Sequence, residues 1–172
     1  MTKVLLLACV PLAGCLTYSD FNLARAVPEQ KLMGSPVHVP LQAAFPFAMD
    51  LDLSERIAKF ETKRQVQVTL ASLELSVTPT AMPAGDTDDF GFIDELHVFI
   101  SSSTEGTTLP RIEIAHVTKP GAVPTIAFAV DSSIDLKPYI SEKAKVDAIG
   151  IGMVPSDDIS FDGRGVVTVH PQ

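Results

Sequence analysis

Aspartates gathered in two turns are the residues best placed to do chemistry. Asp86, Asp88 and Asp89 follow Gly85, and Asp157, Asp158 and Asp162 stand near the end of the sequence. Calcium takes carboxylate oxygens, several at a time. Asp86, Asp88 and Asp89 are therefore the candidate Ca²⁺ ligands, with the second turn able to add to them. An EF-hand also needs a ligand at its fifth position and a Glu at its twelfth. Counted from Asp86 these positions hold Phe90 and His97, so that motif fails. Asp is also a turn former, because its side chain bonds the backbone two residues on. The expectation is a solvated turn, with no metal assigned.

The four histidines are His38, His97, His116 and His170, and no two have the i, i+2 or i, i+4 spacing of a metal site. His38, His97 and His170 stand beside residues of core parity, which turns them outward. His116 shares parity with Ile112 and Ile114, which places it inward or at a strand end. No G-x-S-x-G nucleophile elbow occurs, and Ser101-Ser102-Ser103 runs into the turn Thr104-Glu105-Gly106. Gly150-Ile151-Gly152 lies within a strand pattern and lacks the following helix of a phosphate loop. With no Trp and 2 Tyr, the chain is short of the aromatic platforms on which sugars stack. The expectation is a non-catalytic protein without a cofactor. Phe45-Pro46-Phe47 and Phe90-Gly91-Phe92-Ile93 are the apolar clusters. They suit an acyl-chain pocket or a docking patch, but core residues at sheet corners are the commoner use of Phe.

These residues need a frame, and the frame reads as β-structure. Val37, Val39, Leu41, Ala43, Phe45, Phe47, Met49, Leu51 and Leu53 alternate with more polar residues, the period of a half-buried strand or of two in line. Pro40 and Pro46 place it at a sheet edge or break it. Asp52 with Glu55 resembles a capping box for a helix over 54–62 that buries Ile57 and Phe60. Over 65–78 the apolar parity changes between Leu70 and Leu73, which predicts a bulge or a crossing between sheets. Further strands are expected at 96–101, 111–117, 125–130, 143–153, 159–161 and 166–170, with a loop over 79–89. Asp135 is a possible cap for one helical turn carrying Leu136, Tyr139 and Ile140. A second parity change, from Val146 and Ala148 to Ile149, Ile151 and Met153, is expected in the strand over 143–153. Gly150 and Gly152 then line the other face, where another chain segment can approach closely. Short strands with turns between them and little helix predict an all-β antiparallel sandwich of Greek-key or immunoglobulin-like type.

The 172 residues are 46% hydrophobic and 20% charged, a globular balance. The net charge of −8 repels nucleic acid, so no nucleic-acid partner is expected. Leu12-Ala13-Gly14-Cys15 closes a short apolar run that follows Lys3. This is the plan of a secretory signal, and the run falls short of the ~20 residues a membrane-spanning helix needs. Its ending resembles the lipobox of bacterial lipoproteins. The resemblance covers residues 1–15 alone, and no domain family is identified. It implies cleavage before Cys15, acylation of Cys15 with palmitate-like chains, and a hold on the membrane through that lipid. Each buried CH₂ is worth ~0.8 kcal/mol, so two or more chains anchor durably. Residue 16 is Leu rather than the Asp that retains such proteins at the inner membrane, so in a Gram-negative cell the implied location is the outer membrane.

The expected organisation is a signal over 1–14, a lipidated N-terminus and tether over 15–36, and one sandwich domain over 37–172. Cys9 and Cys15 are the 2 cysteines, so removal of the signal and acylation leave the domain without a free thiol. The expected role is an interaction or structural component of the envelope that binds another envelope protein. The alternatives are a sandwich that takes a small apolar ligand or Ca²⁺ and, third, an envelope enzyme.

Overall fold

The computed structural model describes residues 19–61, 65–78 and 88–171. Cys15 and Asp86 lie outside them, as does most of the loop expected over 79–89. The described residues form the strands β1 (Phe21–Leu32), β2 (Pro40–Phe45), β3 (Val66–Val77), β4 (Ile93–Ser102), β5 (Ile112–Thr118), β6 (Thr125–Ala127), β7 (Ala129–Val130), β8 (Ala144–Met153) and β9 (Ile159–Pro171). Two short helices, α1 (Ser54–Glu61) and α2 (Lys137–Ser141), complete them. The sheet orders are β1-β9-β3-β6 and β2-β8-β4-β5-β7, and every pairing is antiparallel. The pairs are nested: β1 with β9, β2 with β8, β3 with β6, β4 with β5. A long hairpin curled over on itself gives this pattern, so the all-β sandwich is of the Greek-key kind and its sheet order is that of a jelly roll.

The inner faces meet in one core. Phe161 of β9 stacks on Phe45 of β2 with centroids 5.0 Å apart and meets Phe90 edge-on at 6.2 Å. Phe90, Phe161, Leu70, Leu75, Leu96, Ile100 and Val167 are fully buried. Both apolar clusters singled out in the sequence supply this core, Phe45 and Phe47 from the first and Phe90 and Ile93 from the second.

The parity change in β3 is a β-bulge. Leu70 opposes Val167 and Ser72 opposes Val166, which leaves Ala71 unpaired. Asp135 does act at the start of α2. Its Oδ1 accepts the Lys137 N–H at 3.0 Å and also the Val68 N–H at 3.0 Å, tying the turn to β3. The segment over 125–130 splits at Phe128, so that β6 joins one sheet and β7 the other. Ile57 is buried in α1. The helix opens one residue later than an Asp52 cap requires, for the Arg56 and Ile57 N–H groups both donate to the Leu53 carbonyl at 2.9 Å.

Three expectations are corrected. Most of the tether expected over 15–36 is strand β1, so the sandwich begins at Phe21 rather than at residue 37. An edge strand buries only part of one face, and here Asn22, Ala24 and Ala26 are exposed while Phe21 and Leu23 are half-buried. Pro28 falls at a shift of register between Val27 and Gln30. Mixed polarity and a proline therefore read as linker. Second, the alternation over 37–53 yields one strand only. Leu41 and Phe45 are buried in β2, an edge strand as Pro40 requires. Val37 is 66% exposed, while Phe47, Met49, Leu51 and Leu53 are buried in an extended strap beyond the ladder. The Arg25 guanidinium donates to the Asp52 carbonyl at 2.9 Å and holds the strap to β1. Third, β8 does not change parity. Val146, Ala148 and Gly150 face inward throughout, and Ile149 and Met153 are 37% and 39% exposed. The glycines supply the reason. A Cβ on Gly150 would lie 3.1 and 3.2 Å from the Leu41 and Phe45 side chains, and one on Gly152 would lie 2.2 Å from the Phe92 carbonyl oxygen. The close approach expected at these glycines is thus real: at Gly150 it is to inward side chains of β2, and at Gly152, where φ is +152°, it is to the backbone of the Phe92–Asp94 segment beside it.

Candidate functional site

The outer face of the five-stranded sheet carries the densest group of interacting ionisable side chains among the described residues. Its geometry begins with a bulge. Val98 of β4 opposes Ala115 of β5, but the next rung pairs Phe99 with Glu113, so Ile114 is extra. Ile114 and Ala115 are both buried, and the parity of the strand reverses beyond them. His116 therefore points outward, directly across from His97. Of the two placements expected for His116, inward or at a strand end, the inward one assumes an unbroken alternation, which the bulge removes.

Glu113 sits between the two imidazoles. Its Oε2 lies 2.9 Å from His97 Nδ1 and its Oε1 lies 3.0 Å from His116 Nδ1. Glu95 Oε2 lies 3.1 Å from His97 Nε2. A carboxylate only accepts, so a ring that donates from both nitrogens satisfies both contacts, and the arrangement favours the imidazolium form of His97. Glu95's hydrogen bond is the main reason its pKa is raised from the ordinary 6.5, and Glu113 adds to this while partial burial opposes it. On the next rung the Arg111 guanidinium lies 3.6 Å above the Phe99 ring and bonds Asp147 of β8. The other half of the face is apolar. Ile149 opposes His97 across β8, Ile151 opposes Glu95, and Met153 stands opposite Pro40 of the edge strand. Exposed apolar side chains beside a polar rim are a feature of contact surfaces.

The Asp-rich turns do meet. Asp88, Asp89, Ser156 and Asp157 line one open depression of about 280 Å³ with Phe92, Pro155 and Ile159. Their carboxylates are in part engaged elsewhere. Asp89 Oδ1 accepts the Gly91 N–H at 2.8 Å. Asp158 pairs with Lys31 at 2.7 Å and accepts the Gly34 N–H at 2.9 Å, which together hold it below the usual carboxylate range. Asp162 is on β9 opposite Ser76. Among the described residues no group of three or more His, Cys, Asp or Glu side chains is arranged to hold a metal ion.

His38 is exposed before β2. His170 lies on the outer face of the other sheet, its Nδ1 2.8 Å from Asp20 Oδ2 and its Nε2 3.1 Å from Thr69 Oγ1. Ser102 and Thr104 donate to the Glu142 carbonyl at 3.1 and 2.8 Å, so these hydroxyls serve a turn. Glu95, Glu113, Arg111 and Asp147 are the site residues that sequence reasoning missed. The signal for part of the group was the shared parity of Glu95, His97 and Phe99 on one strand.

No family model matches the chain, and no curated protein matches it. Among solved structures, the decameric BFDV capsid protein covers 90% of this chain over 100% of its own, at 9% identity and a TM-score of 0.44. Turnip yellow mosaic virus gives 11% identity and a TM-score of 0.25, covering 99% of this chain and 89% of its own. Desmodium yellow mottle tymovirus gives 10% and 0.23, covering 100% and 93%. Likenesses at these scores carry no functional argument.

Proposed function

We propose that the chain is a lipid-anchored protein of a bacterial cell envelope whose sandwich is a non-catalytic interaction or structural domain. The observation that carries this reading is Leu12-Ala13-Gly14-Cys15 at the end of a short apolar run behind Lys3. Acyl chains on Cys15 hold the domain at the membrane, and Leu16 favours the outer membrane in a Gram-negative cell. Tethering raises the effective concentration of the domain for its neighbours, so modest contacts suffice for binding.

The partner is another envelope protein, and the contact surface is the outer face of the five-stranded sheet. Two features support that choice. Ile149 and Met153 are exposed there, and the adjoining charges are already paired among themselves.

Two measurements test the reading. Metabolic labelling with a radioactive or clickable fatty acid should mark the wild type and not Cys15→Ala, and equal labelling of the two would remove the anchor. Cross-linking in the native envelope should then recover a defined protein with the wild type, and recovery of none would remove the interaction role.

A further inference from the structure

The early start of β1, at Phe21, bears on how the anchored domain stands. Asp20 is held to the sheet, its Oδ2 2.8 Å from His170 Nδ1, while His170 Nε2 reaches Thr69 Oγ1 at 3.1 Å. Asp20 is thus clamped to β9 and β3. From Cys15 to Asp20 is 20 − 15 = 5 residue steps, a reach of at most ~18 Å for fully extended chain. The sandwich is longer than this. β9 has 13 residues, hence 13 − 1 = 12 steps, and at ~3.3 Å each it spans roughly 40 Å. A lipid on Cys15 can therefore lie beside one end of the sandwich and cannot reach the other.

Which end is which follows from the pairing. Phe21 opposes Val169 and Val66 opposes Pro171, so the starts of β1 and β3 and the end of β9 share one pole. The connection from Met153 to Ile159 turns at the opposite pole, which puts the start of β8 at the first. Ala144 there opposes Ser102, so the β4–β5 turn belongs to this pole too. The opposite pole holds Asp88, Asp89, Asp157 and Asp158, with Lys31 on Asp158. At roughly 40 Å this acidic pole is several Debye lengths of ~8 Å from a headgroup layer, whereas the inverted pose would press it against anionic lipid.

We propose that the pole bearing Asp20, Phe21, Val66 and Pro171 is the membrane-facing surface, seated on lipid headgroups, and that the strands stand upright with the Asp-rich turns outermost. This rests on the lipoprotein reading above. The outer face of the five-stranded sheet then looks sideways, toward proteins anchored in the same membrane.

The test uses the full-length acylated protein in vesicles of phosphatidylethanolamine and phosphatidylglycerol. The domain has no cysteine besides Cys15, so Glu105→Cys at the near pole and Ser156→Cys at the far pole accept a fluorophore singly. Energy transfer to a headgroup-labelled lipid should be several-fold more efficient from position 105. Equal transfer, or stronger transfer from 156, overturns the orientation while leaving the anchor intact, provided mass spectrometry shows the acyl chains on Cys15. An unmodified Cys15 with no vesicle association overturns the lipoprotein reading itself. A 24-residue Gly/Ser insertion after Leu16 supplies a second check, because it lets the domain tumble and should bring the two transfer efficiencies together. An undiminished contrast with that insertion would show that the short reach is not what orients the domain.

Discussion

The two outer faces of the sandwich solve the same problem differently. On the four-stranded sheet, short polar side chains bond across the rungs: Thr168 to Asn22 at 2.8 Å, Ser76 to Thr125 at 3.0 Å, His170 to Asp20 and Thr69. That face suits water. On the five-stranded sheet, Ile149 and Met153 stand exposed beside a chain of paired charges. Satisfying the charges internally and leaving the hydrophobes bare is the reverse of what solvation alone favours. The character of a face thus depends on how its polar groups are engaged as well as on how many it has.

Substitutions at four places separate the two faces. The largest stability effect belongs beneath the five-stranded face. Gly150→Val should cost about 1–3 kcal/mol, since its Cβ would crowd Leu41 and Phe45. Urea denaturation measures this, and a cost near zero would show that β2 can give way. Ile149→Ser with Met153→Ser should change stability by no more than about 0.5 kcal/mol per site, as exposed positions do, yet remove the envelope cross-link. Retention of the cross-link would move the contact surface elsewhere.

The third place is His97. Because it binds its proton more tightly when folded, its contribution to stability is complete below about pH 6.5 and is lost as pH rises through the raised folded value. Nitrogen-detected NMR should show the His97 ring titrating above 6.5 in the wild type and lower in Glu95→Gln. An unchanged midpoint in Glu95→Gln would mean that the 3.1 Å contact is not kept in solution. The smallest effect lies on the polar face. Asn22→Ala removes one exposed hydrogen bond, changes stability by no more than about 0.5 kcal/mol, and leaves cross-linking unchanged. Loss of the cross-link there would erase the distinction between the faces.

The bulge in β3 was readable because apolar parity changes visibly between Leu70 and Leu73, with both stretches facing one core. β8 was misread because Ile149, Ile151 and Met153 were assumed to be buried, when the buried side is the one with Gly150 and Gly152. β1 hid behind the mixed composition that edge strands tolerate. The meeting of the two Asp-rich turns could be anticipated as a pairing of like turns, but not the diversion of Asp158 to Lys31 and Gly34. Of the Glu95–His97–Glu113–His116 group only the shared parity of Glu95 and His97 is legible in the sequence; the meeting of the two strands' side chains is not. It depends on a register between two strands and on one extra residue, Ile114, and long-range pairing leaves no mark in local periodicity.

The pairing of β1 with β9 has a consequence in time. Phe21 opposes Val169, a separation of 169 − 21 = 148 residues. No strand can take its place beside β1 until β9 is available, so the first sheet closes only once β9 has emerged. Folds dominated by such distant pairings form slowly. A chain delivered from its N-terminus would expose the inner edge of β1 throughout delivery, and that interval is when a chaperone would have most to protect.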